Sequence, residues 1–342
     1  MTMIRSAPRC VAGALAITAA LSFAGFSSAQ NPTKPKVDEL VTQLQATNPE
    51  TRAQAVQSLG NIQSDEVRPA VPFLVRALRD EHPLVRRRAA EALGELQSRA
   101  RGTTADLAVL LRDPDPQVRA AAAEALGRFG PEARGVVSDL AQALKDSDRA
   151  VRRAAASALR RMGAAVAPAV PELAQAMKDK DDPVLREEAA HALSQLGHTP
   201  EADAALLEAL RDPDKTVREE AVHAIAMMEP SHAAHALEAL RVALHDPEVY
   251  VRTSVIHGLG SMGAAGLPLL IEALQDQEWL VRWWAAHTLG RLGRVAEPAL
   301  PALRHALKDS NEMSREAIVH AIEEIEAAKA AGPGTKSTVS PN

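Results

Sequence analysis

Residues 84–94 read LVRRRAAEALG, and residues 117–127 read QVRAAAAEALG. The same segment returns in weaker form along most of the chain, and each copy is led by one arginine. The arginines stand at positions 52, 86, 119, 152, 186, 218, 252, 282 and 315, in steps of 30 to 34 residues. Self-similarity at such a period is typical of solenoids, in which one small unit stacks on the next.

Each repeated unit is predicted to contain two helices. The second helix follows a short acidic turn such as residues 113–116, where Asp caps free backbone N–H groups and Pro fits the first turn. Apolar residues then recur at helical spacing, as at Val118, Ala122 and Leu126. Neither helix can bury its apolar face alone, so we expect an all-α solenoid of about nine stacked helix pairs.

Composition supports this fold and excludes some functions. Hydrophobic residues make up 46% of the 342 residues but aromatic residues only 2%, which favours thin layers of Ala and Leu over one large core. The formal charge of −5 excludes a uniformly basic nucleic-acid-binding protein. The balance is uneven, because residues 50–165 carry 19 basic and 15 acidic residues, whereas residues 166–342 carry 16 and 27.

The repeats resemble the short HEAT-like repeats named after phycobilin lyases. The resemblance rests on the acidic turn followed by Val-Arg-x-x-Ala-Ala-x-Ala-Leu-Gly, and it spans residues 38–328. It implies an α-solenoid whose second helices line a concave surface. It does not fix an activity, because proteins with such repeats include scaffolds, chromophore lyases and a di-iron hydroxylase.

The first residues have the layout of an export signal. Two arginines precede an apolar run from Val11 to Phe26, and small residues follow up to Ala29. We therefore expect a signal peptide at 1–29, a linker at 30–37 and a periplasmic or secreted bacterial protein. The alternative is an uncleaved membrane anchor. Cys10 is the only cysteine, so the mature chain would have no disulfide. The composition of residues 329–342 predicts a disordered tail.

An aspartate stands six residues before most of the repeated arginines, as in Asp80 and Arg86 or Asp113 and Arg119. We expect each arginine to reach an aspartate of its own or an adjacent turn. Guanidinium and carboxylate groups pair well in bidentate geometry, so the recurring pair predicts a structural ladder along the stack.

Two positions vary from unit to unit and are candidates for function. Five residues after the arginine, the last five repeats carry His191, His223, His257, His287 and His320. One residue after the arginine, Glu187 and Glu219 stand one helical turn before a histidine. Three interpretations remain open: a solvated face, a recognition surface that responds to pH, and a metal site built on His191, His223, Glu187 and Glu219.

The aromatic residues are the second anomaly. Tyr250, Trp279, Trp283 and Trp284 lie within 35 residues of one another. The two adjacent tryptophans replace Arg, Ala, Glu or Thr of other repeats, so the core does not require them. Trp is enriched at interface hot spots, although packing within the chain is an alternative.

The sequence thus predicts an exported, monomeric scaffold that binds a protein partner on its concave surface and has no cofactor. Trp283, Trp284, Trp279 and Tyr250 are the predicted anchors, with the histidines and glutamates as polar contacts. No phosphate-binding loop, nucleophile elbow or His-Glu-x-x-His motif is present, and no aromatic residues accompany the arginine clusters as they do in single-strand binders. A phycobilin-lyase-like or metal-dependent enzyme on the same repeats is the alternative.

Overall fold

The computed structural model describes residues 37–196, 199–226, 233–309 and 311–331, with backbone alone at 233–235. These residues belong to one compact unit. The predicted signal peptide, most of the linker and most of the predicted tail lie outside the described residues, so these domain boundaries stay predictions. No helix of the described part is long and apolar enough to cross a lipid bilayer.

The chain folds into pairs of helices, as predicted. The first helices of the pairs are α1 (Val37–Gln43), α3 (Val71–Ala77), α5 (Thr104–Val109), α7 (Val137–Ala143), α9 (Val170–Ala176), α11 (Pro200–Ala209), α13 (Ala233–Ala243), α15 (Leu267–Ala273) and α17 (Leu300–Ala306). The second helices are α2 (Pro49–Gly60), α4 (Pro83–Leu96), α6 (Pro116–Phe129), α8 (Arg149–Arg161), α10 (Pro183–Ser194), α12 (Lys215–Ala226), α14 (Val249–Ser261), α16 (Trp279–Arg291) and α18 (Glu312–Ala330).

Each second helix packs against the second helices before and after it, and together they form one layer, the second-helix layer. Small residues allow the close approach. A Cβ atom on Gly127 would lie 2.8 Å from the Cα of Ala158 on the next helix, and one on Gly94 would lie 2.9 Å from the Cα of Ala125. Because real Cβ atoms do not come so close, glycine is required where these helices meet.

The predicted arginine–aspartate ladder is confirmed, and it joins adjacent repeats. In a typical rung, Nε and Nη2 of Arg119 each donate to the carboxylate of Asp146 at 2.8 Å. Nη1 of the same arginine donates to the carbonyl groups of its own turn, at Asp113 and Pro114. The carboxylate rungs are Arg52–Asp80, Arg86–Asp113, Arg119–Asp146, Arg186–Asp212, Arg218–Asp246, Arg252–Asp276 and Arg282–Asp309.

The ladder is weakened at one place, between α8 and α10. Nη2 of Arg152 lies 3.5 Å from Asp179, and the Nε atom of Arg152 is buried without a hydrogen-bond partner. The turn before α10 has one extra residue, so that Arg186 reaches back seven residues to the carbonyl of Asp179 instead of six. Another carboxylate, that of the N-cap residue Asp182, also joins these two helices.

Asp182 is fully buried and binds two arginines of α8. Nε of Arg149 donates to it at 2.9 Å, and Nη2 of Arg153 lies 2.7 Å from it. Burial raises the pKa of Asp182, but the hydrogen bonds from Arg153 and Arg149 outweigh burial and hold that pKa far below its ordinary value. This cluster joins the first four repeats to the last five.

One residue has a strained backbone. Gln97 has φ 45°, whereas Gly130 and Gly163, which occupy the same place in the next two repeats, have φ 54° and 59°. Left-handed conformations cost free energy for a residue with a Cβ atom, so this repeat lacks the glycine that its geometry favours.

Candidate partner-binding surface

Helix α14 presents one continuous face to a surface groove. Tyr250, Ser254, His257 and Ser261 follow one another at steps of three or four residues, which places them on the same side of the helix. The groove encloses about 430 Å³ and lies in the second-helix layer, between α12 and α16. The neighbouring helices contribute His223 of α12 and Leu280 and Trp284 of α16.

The groove brings together four of the residues that the sequence nominates. Tyr250 is 59% exposed, and His223 and His257 are also exposed, whereas Trp284 is half-buried and packs partly against the core. Aromatic and aliphatic surfaces beside hydroxyl and imidazole groups can bury an apolar side chain and also hydrogen-bond a polar backbone. The arrangement is that of a recognition surface for a chain segment or a ligand.

The other nominated aromatic residues do not line the groove. Trp283 stacks on His287, with ring centroids 5.1 Å apart and planes at 14°, and meets Trp284 edge to face at 4.9 Å. Burial, together with the positive charge of Arg291, lowers the pKa of His287 below its ordinary value. Trp279 is 40% exposed, and its carbonyl oxygen accepts a hydrogen bond from the hydroxyl of Ser314.

The acidic contacts of the histidine column differ from one repeat to another. Nδ1 of His191 lies 2.9 Å from Oε1 of Glu220 on the next helix. Burial raises the pKa of Glu187, and the negative charges of Glu188 and Glu220 add to this effect. Nδ1 of His320 lies 3.5 Å from Glu324. The column is therefore divided among separate environments and is not one continuous polar strip.

The described residues offer no cluster of ligands for a metal site. Within the described ranges, no group of three or more His, Cys, Asp or Glu residues is arranged to hold a metal ion. The candidate ligands His191, His223, Glu187 and Glu219 thus do not meet at one such centre.

The groove also contains residues that sequence reasoning missed, namely Thr253, Ser254, Ser261 and Leu280. A signal for three of them is present in the sequence. Counting helical steps forward and back from His257 gives the whole exposed face of α14, including its serine and threonine residues. Leu280 occupies the place in α16 that Tyr250 occupies in α14, two residues before the ladder arginine.

The corresponding surface of the first repeats is polar, and several of its charges are paired. Nη1 of Arg88 donates to Glu91 at 2.8 Å, and Nε of Arg160 donates to Glu188 at 2.6 Å. Arg128 of α6 forms an ion pair with Glu95 of α4. Ion pairs satisfy these charged groups, whereas the ring of Tyr250 remains exposed on α14.

The family model for HEAT repeats matches residues 37–110, 104–194, 165–226 and 237–323. The chain belongs to the HEAT repeat family. Its fold is similar to that in "Crystal Structure of Importin Beta in an Ammonium Sulfate Condition", with a TM-score of 0.59 and 17% sequence identity. The match covers 87% of this chain and 46% of that chain, so this HEAT repeat chain spans less than half the length of that protein. At this identity the likeness shows the fold alone. No curated protein matches the chain.

Proposed function

We propose that this HEAT repeat chain is an exported scaffold that binds a protein partner in the groove between α12, α14 and α16. The observation that carries the proposal is the continuous face of α14, on which Tyr250 and His257 are exposed beside Trp284 of α16. HEAT solenoids commonly bind protein partners, and variation on a repeated frame is where such proteins differ from one another.

Physical chemistry favours this groove over the rest of the second-helix layer. Trp and Tyr bury a large area with few rotatable bonds, and they dominate the binding energy of many interfaces. The serine and threonine hydroxyl groups and the imidazoles can satisfy the polar backbone of a bound segment. In the first repeats, a partner would have to break existing ion pairs such as Arg88–Glu91 before it could bind.

A site-specific photo-crosslink tests the proposal. A benzophenone side chain introduced at Thr253 lies in the groove, and the same side chain at Ala120 occupies the equivalent place in an earlier repeat, one residue after the ladder arginine. Irradiation in intact cells, followed by mass spectrometry, identifies what each position contacts. We expect a specific protein at Thr253 and not at Ala120.

The role of the aromatic anchor is tested in the same experiment. Tyr250→Ala removes an exposed ring without opening a core cavity, so it should abolish the crosslink while leaving the melting temperature unchanged. Equal crosslinking at both positions, or a product that persists in the Tyr250→Ala variant, would show that the groove is not the binding surface.

Export is supported by the apolar run of residues 11–26 between two arginines and a small-residue segment. Cell fractionation followed by N-terminal sequencing tests it, and we expect a mature chain that begins at Gln30. A chain that keeps its first residues in the membrane fraction would indicate the anchor instead. The finer assignment to repeats of the phycobilin-lyase type stays a prediction from the sequence.

A further inference from the structure

Three glutamates stand at or near the starts of α12, α14 and α16, close in sequence to residues that line the groove. Glu219 lies one turn before His223, Glu248 lies two residues before Tyr250, and Glu278 lies two residues before Leu280. None of the three makes a side-chain hydrogen bond or ion pair with another residue that the structure describes. We call Glu219, Glu248 and Glu278 the acidic rim.

The acidic rim differs from the equivalent positions of earlier repeats. Asp115 and Asp148 stand at the N-caps of α6 and α8 and accept hydrogen bonds from the backbone N–H groups of the first turn. Glu248 and Glu278 stand at the N-caps of α14 and α16 but make no such bond. Their carboxylates therefore do not cap the helices and can bind a group of another molecule.

Glu219 is the most enclosed member of the rim. Burial raises its pKa, Lys215 and Arg218 partly oppose this effect, and Glu248 raises the pKa further. Arg218 is already bound by Asp246 at 2.6 Å, which leaves Lys215 as the nearby cation without a ladder partner. Within the described part of the chain, Lys215 is therefore the cation that faces Glu219 and Glu248 without a carboxylate partner of its own. Acidic residues also prevail beyond the rim, because residues 166–342 carry 16 basic and 27 acidic residues.

We propose that the segment bound in the groove is cationic, with Lys or Arg residues at the acidic rim and an apolar side chain between Tyr250 and Trp284. The proposal rests on the proposed function and names the chemistry of the partner. An ammonium or guanidinium group of the partner meets unpaired carboxylates, and the exposed aromatic rings offer cation–π contacts to the same groups. An acidic segment meets like charge at the rim and is excluded.

A random peptide library displayed on phage is the probe. It is selected on the immobilised mature chain, and the recovered peptides are then synthesised and measured by fluorescence anisotropy. Three proteins are compared with the wild type: Trp284→Ala, the rim variant Glu219→Gln/Glu248→Gln/Glu278→Gln, and a matched control, Glu201→Gln/Glu208→Gln/Glu238→Gln. The control removes the same charge from the first helices α11 and α13. A thermal melt of each variant establishes that it is folded.

We expect recovered peptides rich in Lys or Arg beside an aromatic or aliphatic residue. Their affinity should fall about tenfold or more in the rim variant, which corresponds to about 1.4 kcal/mol, and remain unchanged in the control. Two outcomes would contradict a cationic partner but keep the groove as the binding site. In the first, the peptides need Trp284 but are acidic. In the second, they need Trp284 but bind the rim variant as tightly as the wild type. Peptides that bind equally well without Trp284, or no enrichment at all, would reject the groove itself.

Discussion

The first four repeats and the later ones share one frame but present different surfaces. In the first four, the second-helix layer carries arginines and glutamates that pair with each other, as in Arg88–Glu91 and Arg128–Glu95. Around α14, His257 stands where the first repeats have Glu91 and Glu124, Tyr250 is exposed, and the Glu248 side chain makes no capping hydrogen bond. The repeated residues therefore hold the stack together. The residues that replace them around α14 leave groups without partners, and a ligand can gain free energy by binding such groups.

The largest expected effect is the loss of stability when the arginine–aspartate ladder is broken. Arg218 binds Asp246 in a nearly buried rung, with side chains 11% and 6% exposed, whereas Arg152 lies 3.5 Å from Asp179 in a looser one. Both arginines also donate to carbonyl groups of their own turns. Arg218→Ala leaves a buried carboxylate without its partner and should lower the free energy of unfolding by about 3 kcal/mol.

Arg152→Ala is the matched control for that measurement, and we expect it to cost about 1 kcal/mol. Urea denaturation followed by circular dichroism gives both values. Equal losses in the two variants would mean that the carbonyl contacts, and not the carboxylate rungs, hold adjacent repeats together.

The next effect is the dependence of the ladder on pH. The hydrogen bond from Arg282 lowers the pKa of Asp309 against the effect of burial, and Nη2 of Arg282 lies 2.8 Å from the carboxylate. An unfolded Asp titrates near pH 3.9. Because the folded pKa is lower, the rung contributes its full stability above about pH 4 and loses it as the pH falls through the folded value.

Asp309→Asn should therefore lower the free energy of unfolding by about 2 kcal/mol at neutral pH, and the difference from wild type should shrink below about pH 4. Denaturation curves measured across this pH range check the prediction. Asp65→Asn serves as the control, since the Asp65 side chain is 67% exposed and the change should have little effect at any pH. A difference that grows on acidification would contradict the assigned direction of the pKa.

These contacts show how far the sequence could predict the fold. The period of the arginines predicts the helix pairs. The six-residue spacing of Asp113 and Arg119 does not decide whether an arginine binds a group of its own turn or the aspartate of an adjacent turn. The structure uses both, because one arginine has enough donors for the carbonyl groups of its own turn and the carboxylate of the next. The cluster at Asp182 was not predicted, because contacts of this N-cap aspartate with arginines of the preceding second helix depend on packing distances that sequence spacing does not contain.

The candidate site was predictable to a smaller extent. Tyr250, His223, His257 and Trp284 were nominated and share the groove, because residues at one place of successive repeats must lie side by side. The acidic contact of His191 was not predicted. Helical spacing suggested that Glu187 supports His191, yet the neighbouring helix places Glu220 closer, and contacts between helices depend on packing distances that sequence spacing does not contain.

A smaller effect on stability is expected at a single turn residue that replaces the glycine of other repeats. Gln97 adopts φ 45° where Gly130 and Gly163 stand in the next repeats, so its Cβ atom adds backbone strain. Gln97→Gly should raise the free energy of unfolding by about 1 kcal/mol, measured by urea denaturation. Gly130→Ala should lower it, while Gly135→Ala, where a Cβ atom meets open space, should change little. A destabilised Gln97→Gly variant would show that the glutamine side chain has a role of its own.

The smallest expected effect separates a packed aromatic residue from an exposed one. Trp283 covers one face of the His287 ring, and burial is the main cause of the lowered pKa of that imidazole. Trp283→Ala exposes the ring and should raise the pKa of His287 toward its ordinary value of about 6.5, as followed by NMR titration. Trp279→Ala is the control, since Trp279 makes no ring contact with His287 in the described part of the chain. An unchanged titration in the Trp283→Ala variant would show that Trp283 does not cause the shift, and its ring would then be free to serve as a further anchor for the partner.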